Sequence, residues 1–348
     1  MNKLSIIVPT YNEKENLENL VSKVFASLEG LDFELIIVDD NSPDGTGKLA
    51  DQISSRYQKV KVVHREGKMG LGTAILDGIK VSEGDFVSVI DADLQHPPDL
   101  LRSMFVKAES GTDIVIASRY IEGGRIEGWS FVRRIISKGA IWLSHLLLKK
   151  TRNVKDTQSG YFIFRKNVIE NVTLTTRGFK LLIEILVKGK YSTVAEIPYT
   201  FKPRLAGESK MKASEIIDYI KQLVTLSDFR AFKFGAVGVS GVFVNLGVLW
   251  LFVSAINLSG LLALAVAIEA SILSNFLLND FWTFKNRRSG RFLHRLIKCN
   301  VTALGALINY ILSAILLYLG INYILADGVG ILFGFAANYF FSEMVIWR

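Results

Sequence analysis

The residues best suited to chemistry form one acidic turn. Asp91 and Asp93 follow the apolar run Phe86–Ile90 directly, Gln95 comes two residues later, and Pro97–Pro98 end the segment. Two carboxylates at this spacing after a strand present several oxygen atoms at the carboxyl end of a sheet. Oxygen ligands of this kind suit Mg²⁺ or Mn²⁺. The turn therefore predicts a divalent-cation site formed by Asp91, Asp93 and Gln95.

Two further strand ends carry polar residues. Pro9–Glu13 follow the strand-sized run Leu4–Val8, and Asp39–Ser42 follow a second run, Glu34–Val38. Between these runs Asn16–Leu28 has the apolar periodicity of a helix. A strand, a helix and a second strand predict a parallel sheet, with a crevice at the carboxyl ends of its strands. The expected class is therefore α/β, with three polar loops around one crevice.

The sequence argues against several other common binding sites and against disulfides. The first strand is not followed by a Gly-x-Gly-x-x-Gly motif, and a Walker lysine motif is absent, which argues against NAD and P-loop sites. Gly67–Gly72 is rich in glycine, but the spacing of its glycines does not match either motif. This segment is predicted to be either a flexible loop at the start of a helix or a loop whose backbone contacts a nucleotide. One cysteine and four histidines argue against disulfides and zinc clusters.

The composition indicates a membrane protein. Of 348 residues 50% are hydrophobic, and the mean hydropathy is +0.31. The apolar excess lies in four stretches after residue 229, and each is long enough to cross a bilayer core of about 30 Å as a helix. The four predicted spans are Phe232–Ala255, Gly260–Phe284, Val301–Leu319 and Tyr323–Ile346.

Charge predicts how these spans are oriented. The links at Asn257–Leu258 and Gly320–Asn322 contain neither Lys nor Arg, whereas Lys285–Lys298 contains six. The positive-inside rule places that loop in the cytoplasm, and an even number of spans then puts the preceding domain on the same side. The opening run Leu4–Val8 is too short for a signal peptide. The net charge of +8 favours phosphates, nucleotides or acidic lipids as partners, and we expect no nucleic acid.

The spans show an internal repeat of about 63–64 residues. Gly241-x-x-x-Asn245 matches Gly305-x-x-x-Asn309, and Asp280 matches Glu343 in the second and fourth spans. The pattern predicts two parallel helical hairpins that arose by duplication, with both acids near the cytoplasmic interface.

Five motifs together carry a family resemblance. The sequence resembles the inverting family-two glycosyltransferases, which have a GT-A fold. It is more closely similar to the archaeal-type dolichyl-phosphate mannose synthases, in which such a domain is fused to a GtrA-like membrane domain of four spans. The motifs are Pro9–Glu13, Val38–Asp40, Asp91–Pro98, Ser118–Tyr120 and Gly207–Lys210.

The resemblance implies that GDP-mannose binds in the crevice and that mannose passes with inversion to dolichyl or another polyprenyl phosphate. A divalent cation, Mg²⁺ or Mn²⁺, would neutralise the leaving diphosphate. Family analogy places Asp91 and Ala92 beside the ribose and diphosphate. The same analogy lines the nucleoside pocket with Pro9, Tyr11, Glu13, Val38 and Asp40.

The acceptor phosphate requires cationic groups, and guanidinium groups hold phosphate in a bidentate manner. The resemblance implies that Arg119, Arg133 and Ser137 lie at this phosphate, and that Arg204 and Lys210 belong to a loop closing over the donor. A phosphate monoester has a second pKa of about 6, so it needs no strong general base. The expected catalytic residues are Asp93, Arg119, Arg133 and Arg204.

The chain is expected to divide into a cytoplasmic catalytic domain, residues 1–229, and a membrane domain, residues 230–348. Near the boundary, residues 133–150 and 214–228 combine apolar residues with basic or polar ones, as interfacial helices do. Such helices would bring the site to membrane lipids. Helices that pack against the domain's own core remain the alternative.

Three other functions stay open at this point. A polyprenyl-phosphate glucosyltransferase that uses UDP-glucose would have nearly the same site. A processive polysaccharide synthase would carry a Gln-x-x-Arg-Trp motif, which this chain lacks. A lipid-linked sugar flippase or scaffold would use the spans and only bind the sugar. Two segments, Thr157–Gly160 and Lys202–Pro203, depart from the family pattern.

Overall fold

The computed structural model describes residues 2–175, 180–203, 213–300 and 304–347. The chain separates into two compact units, Met1–Leu226 and Ser227–Arg348. This division lies three residues before the boundary that the sequence predicts. Arg204 and Lys210 lie outside the described residues.

A seven-stranded sheet forms the centre of the first unit. Its strand order is β3-β2-β1-β4-β7-β5-β8, and β7 is the strand that runs antiparallel to its neighbours. A separate parallel pair joins β6 to β9. The strands are β1 (Leu4–Thr10), β2 (Phe33–Asp39), β3 (Val60–His64), β4 (Phe86–Val89), β5 (Ile114–Ser118), β6 (Arg125–Ile126), β7 (Phe162–Arg165), β8 (Val194–Pro198) and β9 (Thr200–Phe201).

Helices cover both faces of this sheet, which explains why every residue of β1 and β2 is buried. Apolar residues of α1, α2 and α4 share one core cluster with the sheet, and those of α3 and α6 share another on the opposite face. The helices of this unit are α1 (Lys14–Ser27), α2 (Thr46–Arg56), α3 (Leu71–Val81), α4 (Leu100–Glu109), α5 (Phe131–Leu147), α6 (Leu181–Lys188) and α7 (Ala213–Leu226).

The three polar loops lie at one edge of the sheet because β1, β2 and β4 are parallel. Each loop contains a residue with positive φ: Asn12 at 59°, Asn41 at 55° and Leu94 at 60°. Asparagine tolerates this left-handed conformation, whereas leucine adopts it only under strain. The acidic loop is therefore held in a strained conformation at the end of β4.

The second unit is helical. Among the described residues, three stretches are long and apolar enough to cross a membrane, Arg230–Ala255, Gly260–Thr283 and Gly328–Ile346. The third predicted span, Val301–Leu319, begins outside the described residues, and α11 covers 15 residues of it. The helices are α8 (Arg230–Trp250), α9 (Gly260–Leu278), α10 (Phe292–Asn300), α11 (Leu304–Tyr318) and α12 (Tyr323–Phe341).

The acids that the repeat relates take equivalent places in this unit. Asp280 and Glu343 are each the second residue of a five-residue π-helical turn that continues α9 or α12. Arg295, which precedes the second hairpin, pairs with Asp280 of the first hairpin at 2.8 Å. Arg230, which opens the first hairpin, pairs with Glu343 of the second at 2.8 Å. We call these two buried ion pairs the reciprocal clamps.

Candidate active site

A cleft of about 760 Å³ opens at the carboxyl edge of the sheet, within the first unit. Eleven of the residues that the sequence predicts for the site line it. They are Pro9, Tyr11, Glu13, Asp40, Asp91, Ala92, Asp93, Gln95, Arg119, Arg133 and Ser137.

Val38 differs from these residues. Its side chain is fully buried in the hydrophobic core and does not line the cleft. Its carbonyl oxygen accepts a hydrogen bond from the Thr10 hydroxyl at 3.3 Å. Any contribution of Val38 to the site therefore comes from its backbone or from the position it gives to Asp39 and Asp40.

The acidic turn forms one wall of the cleft. Asp93 is 3% exposed, and its Oδ1 accepts the backbone N–H of Gln95 at 3.1 Å. The Asp91 side chain is 37% exposed. Gln95 donates from Nε2 to the carbonyl oxygen of Lys202 at 3.0 Å, so its amide oxygen is the atom able to bind a cation.

Together these side chains offer two carboxylates and one amide oxygen. Within the described ranges, no three His, Cys, Asp or Glu side chains are grouped to hold a metal ion. Two carboxylates and an amide oxygen are donors that Mg²⁺ accepts when substrate phosphates complete its coordination. The residues present therefore fit a cation bound jointly with a diphosphate.

The buried imidazole of His96 holds the acidic turn through a hydrogen bond to its backbone. It is 3% exposed, and its Nδ1 accepts the backbone N–H of Asp91 at 3.3 Å. Its ring lies against Tyr161, Tyr199 and Phe201. Burial lowers the pKa of His96 to about 4, so the imidazole is neutral near pH 7.

The opposite end of the cleft is ordered around Asp40. Its side chain forms a buried ion pair with Arg65 and accepts the backbone N–H of Gly70 at 3.0 Å. Gly70 has a φ of +99°, which permits the loop before α3 to turn toward the carboxylate. Beside it the Lys68 ammonium lies 3.7 Å from the centre of the Tyr11 ring. The glycine-rich loop thus borders the cleft at Lys68 and Gly70.

Arg119 is anchored by Asp156 and is 8% exposed. Its Nε and one Nη each donate to a carboxylate oxygen of Asp156 at 2.8 Å, and its backbone N–H donates to the same group. Burial lowers the pKa of Arg119, but the hydrogen bonds and charge of Asp156 outweigh burial and raise it above its ordinary value. One edge of the guanidinium is therefore occupied, and the second edge still has N–H groups for a phosphate.

Arg133 and Ser137 lie one turn apart on α5, so they share a face of that helix. The Arg133 guanidinium stacks on the Trp129 ring at 4.3 Å. The Tyr120 hydroxyl donates to the Ser137 Oγ at 2.8 Å, so the Ser137 proton can be donated to a ligand. Together with Arg119, this side of the cleft is cationic and rich in donors.

Sequence reasoning missed Lys180 and Asp156. Lys180 lines the cleft, and its ammonium donates to the carbonyl oxygen of Gln158 at 3.1 Å. Burial and the charge of Arg119 lower the pKa of Lys180 to about 8. Asp156 does not line the cleft itself but anchors Arg119, which does. Neither residue belongs to a strand-end motif, and both flank the antiparallel strand β7, which the sequence pattern did not reveal.

Thr157–Gly160, one of the two segments that depart from the family pattern, makes hydrogen bonds to helices α5 and α7. Thr157 shares a hydrogen bond with Ser144 of α5 at 2.9 Å. Gln158 donates to the Tyr219 hydroxyl of α7 at 2.7 Å, and Tyr219 donates to the carbonyl oxygen of Ala140 in α5. The loop before β7 therefore holds the two amphipathic helices beside the cleft.

A dolichol-phosphate mannosyltransferase from Pyrococcus furiosus is 46% identical over 351 residues, and the alignment covers 99% of each chain. The chain belongs to the dolichol-phosphate mannosyltransferase family. It is therefore a glycosyltransferase. A yeast relative of the same name, from Saccharomyces cerevisiae, is 33% identical and covers 67% of this chain and 88% of its own.

The two units match separate families. Residues 5–173 match "Glycosyl transferase family 2", and residues 233–347 match "GtrA/DPMS, transmembrane domain". The second match confirms the prediction of a membrane protein with a GtrA-like domain.

Solved structures support the fold of the catalytic part. Mannosyl-3-phosphoglycerate synthase from Rubrobacter xylanophilus has a TM-score of 0.51 at 20% identity, over 64% of this chain and 73% of its own. Glucosyl-3-phosphoglycerate synthase from Mycobacterium tuberculosis, solved with Mn²⁺, UDP-glucose and phosphoglyceric acid, has a TM-score of 0.50 at 21% identity, over 65% and 80% of the chains. At these identities the likeness shows the fold alone, and it confirms the predicted α/β, GT-A architecture.

Proposed function

We propose that the protein transfers mannose from GDP-mannose to dolichyl or another polyprenyl phosphate, with inversion at the sugar. The observation that carries this proposal is the division of one cleft into a carboxylate wall and a guanidinium wall. A metal-bound diphosphate suits the first wall, and a free phosphate monoester suits the second. Family membership supports the same donor and acceptor.

Asp91, Asp93 and Gln95 would hold the cation, either Mg²⁺ or Mn²⁺. When bound, this ion supplies positive charge against the leaving diphosphate. The residues of the chain orient the donor around it: Asp40 is fixed by Arg65 at the nucleoside end, and His96 fixes the backbone of Asp91. Pro9, Tyr11, Glu13 and Ala92 complete the donor side of the cleft.

Arg119, Arg133 and Ser137 would bind the acceptor phosphate. Arg119 is anchored on one edge, so its other edge is presented with little conformational freedom to lose. The phosphate is already nucleophilic as a dianion, and these cations place its oxygen opposite the leaving group. Attack from the face opposite the diphosphate gives inversion in a single displacement. Arg204 and Lys210, outside the described residues, are proposed to cover the donor.

The acceptor is a lipid, and α5 has a surface suited to a membrane. The helix that carries Arg133 and Ser137 exposes Phe131 at 77% and Trp142 at 60%, with Ile135 on the same face. Apolar residues beside basic ones are typical of helices that lie in the membrane interface. We therefore propose that α5 lies toward the membrane surface, and from the charge of the loops we propose that the catalytic unit is on the cytoplasmic side.

The proposal is tested by incubating the purified protein in vesicles with radiolabelled GDP-mannose or UDP-glucose, a short polyprenyl phosphate, and Mg²⁺ or Mn²⁺. We expect lipid-linked label from GDP-mannose, with loss of product when EDTA removes the metal. Product from UDP-glucose alone would replace the mannosyl assignment with a glucosyl one. Label that binds without transfer would favour a binding or flipping role.

A further inference from the structure

The second unit contains a short helix outside its predicted spans. Helix α10 lies in the basic segment between α9 and α11 and has two unlike faces. Polar residues His294, Arg295 and Lys298 occupy one side. The apolar side, at helical spacing, comprises Phe292, Leu293, Leu296 and Ile297.

This helix is tied to the ends of two spans. Arg295 donates from Nε and one Nη to the carboxylate of Asp280, at 2.8 and 3.1 Å, and is 6% exposed. Lys298 donates to the carbonyl oxygen of Val345 at 3.3 Å, in the turn that continues α12. Two attachments on the polar side fix the rotation of the helix about its axis.

The apolar side consequently faces outward. Leu293 is 64% exposed, Ile297 is 56% exposed and Phe292 is 42% exposed. Exposure of three large apolar side chains on one short helix requires a partner that removes them from water.

The position of α10 along the spans identifies that partner. The Phe292 ring packs edge-on against Phe276 of α9, with ring centres 5.1 Å apart. Phe276 precedes Thr283, the last residue of the span, by a helical rise of about 10 Å. The start of α10 therefore lies beside the span rather than beyond its end. Its exposed residues continue the apolar surface that the spans offer to lipid.

We propose that α10 binds the surface of the bilayer that holds the spans, with Leu293 and Ile297 inserted at the level of the acyl-chain boundary. His294 and Lys298, on the polar side, lie at the level of the headgroups. The inference rests on the membrane placement of the second unit and not on sugar transfer. It therefore stands independently of the proposed reaction.

The test uses the full-length protein with Cys299, its one cysteine, replaced by serine. Single cysteines at Leu293 or Ile297 receive an environment-sensitive fluorophore, and vesicles of phosphatidylcholine and phosphatidylglycerol carry a nitroxide on the acyl chain. We expect quenching at both positions to exceed that at the exposed neighbour His294 by about threefold. Equal quenching at 293, 294 and 297 would overturn the proposal.

Two controls keep the result decisive. A label at Leu264, an exposed residue of α9, reports insertion of the same protein and must be quenched in every preparation. Dilution of labelled protein with excess unlabelled protein distinguishes contact of α10 with lipid from contact with a second copy of the chain. Emission at 293 that changes with protein density but not with the nitroxide would assign the apolar face to self-association and reject the lipid partner.

Discussion

At the scale of single residues, the site depends on side chains that are fixed before any ligand binds. Arg119 is held by Asp156, Asp40 by Arg65, and the backbone of Asp91 by His96. Fixed donors lose less conformational entropy on binding and present charge in one orientation.

Arg133→Ala is expected to lower transfer by about 100-fold, because it removes charged hydrogen bonds to the acceptor phosphate. Nucleotide binding, measured by calorimetry with GDP and Mn²⁺, should remain nearly unchanged. Arg134→Ala is the matched control, since this exposed neighbour donates to the carbonyl oxygen of Ile126. Equal transfer rates for the two variants would remove Arg133 from the acceptor site.

Asp156→Asn is expected to raise KM for polyprenyl phosphate more than KM for GDP-mannose. The change leaves the Arg119 guanidinium without its charged partner and destabilises the fold by about 3 kcal/mol. Thermal unfolding measures the stability, and a double variant with Arg119→Gln measures the coupling. If the two substitutions had additive effects on acceptor KM, Asp156 would have no positioning role.

Lys180 predicts an alkaline limit to activity. Its pKa is lowered to about 8, so the ammonium is charged below this pH and loses its positive charge as the pH rises through it. If Lys180 attracts phosphate, kcat/KM should fall above about pH 8. Lys180→Arg should shift this fall to higher pH, because guanidinium stays charged. An unchanged alkaline limb in the arginine variant would contradict the assignment.

Residue-scale prediction from the sequence succeeded where a motif follows a strand. Asp91 and Asp93 were found because they directly follow an apolar run, and both line the cleft. The role of Asp156 could not be predicted, because Asp156 lies 37 positions from its partner Arg119 along the chain and no sequence pattern indicates that pairing. Val38 was assigned by analogy, and its side chain lies in the core.

At the scale of elements, parallel strands explain why separate loops meet at one cleft. Three strands were predicted from apolar runs of the sequence, and they occur as β1, β2 and β4. The antiparallel insertion of β7 between β4 and β5 could not be predicted, because it depends on tertiary pairing rather than on a local pattern. That insertion brings the loop containing Asp156 and Gln158 to the cleft.

The reciprocal clamps should contribute more stability than an exposed ion pair. Asp280→Asn or Arg295→Gln alone is expected to cost about 3 kcal/mol, because each leaves a buried charge without its closest partner. The double variant should cost less than the sum, as measured by thermal unfolding in detergent. The exposed pair Asp228–Lys233 is the control and should contribute about 0–1 kcal/mol. Similar losses at both pairs would show that burial of the clamp has no special effect.

At the scale of the whole molecule, the second unit explains much of the positive mean hydropathy and changes how the net charge is interpreted. The apolar excess belongs to the second unit, whose stretches are long enough to span a membrane. Arg287, Arg288 and Arg295 of the basic loop form ion pairs with Asp280 or Glu343, and Arg295 is buried there. The count of charges in the sequence therefore overstates the free basic surface of that loop.

A lipid acceptor and an apolar α5 surface predict that transfer depends on surface concentration. At constant total polyprenyl phosphate, added vesicle lipid should lower the rate roughly in proportion to the surface dilution. Radiolabel transfer at several lipid ratios measures this dependence. A rate that followed only the bulk concentration of acceptor would show that the enzyme takes its acceptor from solution.

The reciprocal clamps have a consequence for the ancestry of the membrane unit. Each hairpin carries the arginine of one contact and the acid of the other, which is the self-complementarity of an isologous homodimer. Two identical copies of a single hairpin could satisfy one another in this way before they were joined in one gene. The covalent chain thus has the symmetry of a dimer interface, and deletion of either hairpin would remove an ionic partner from one arginine and from one carboxylate at once.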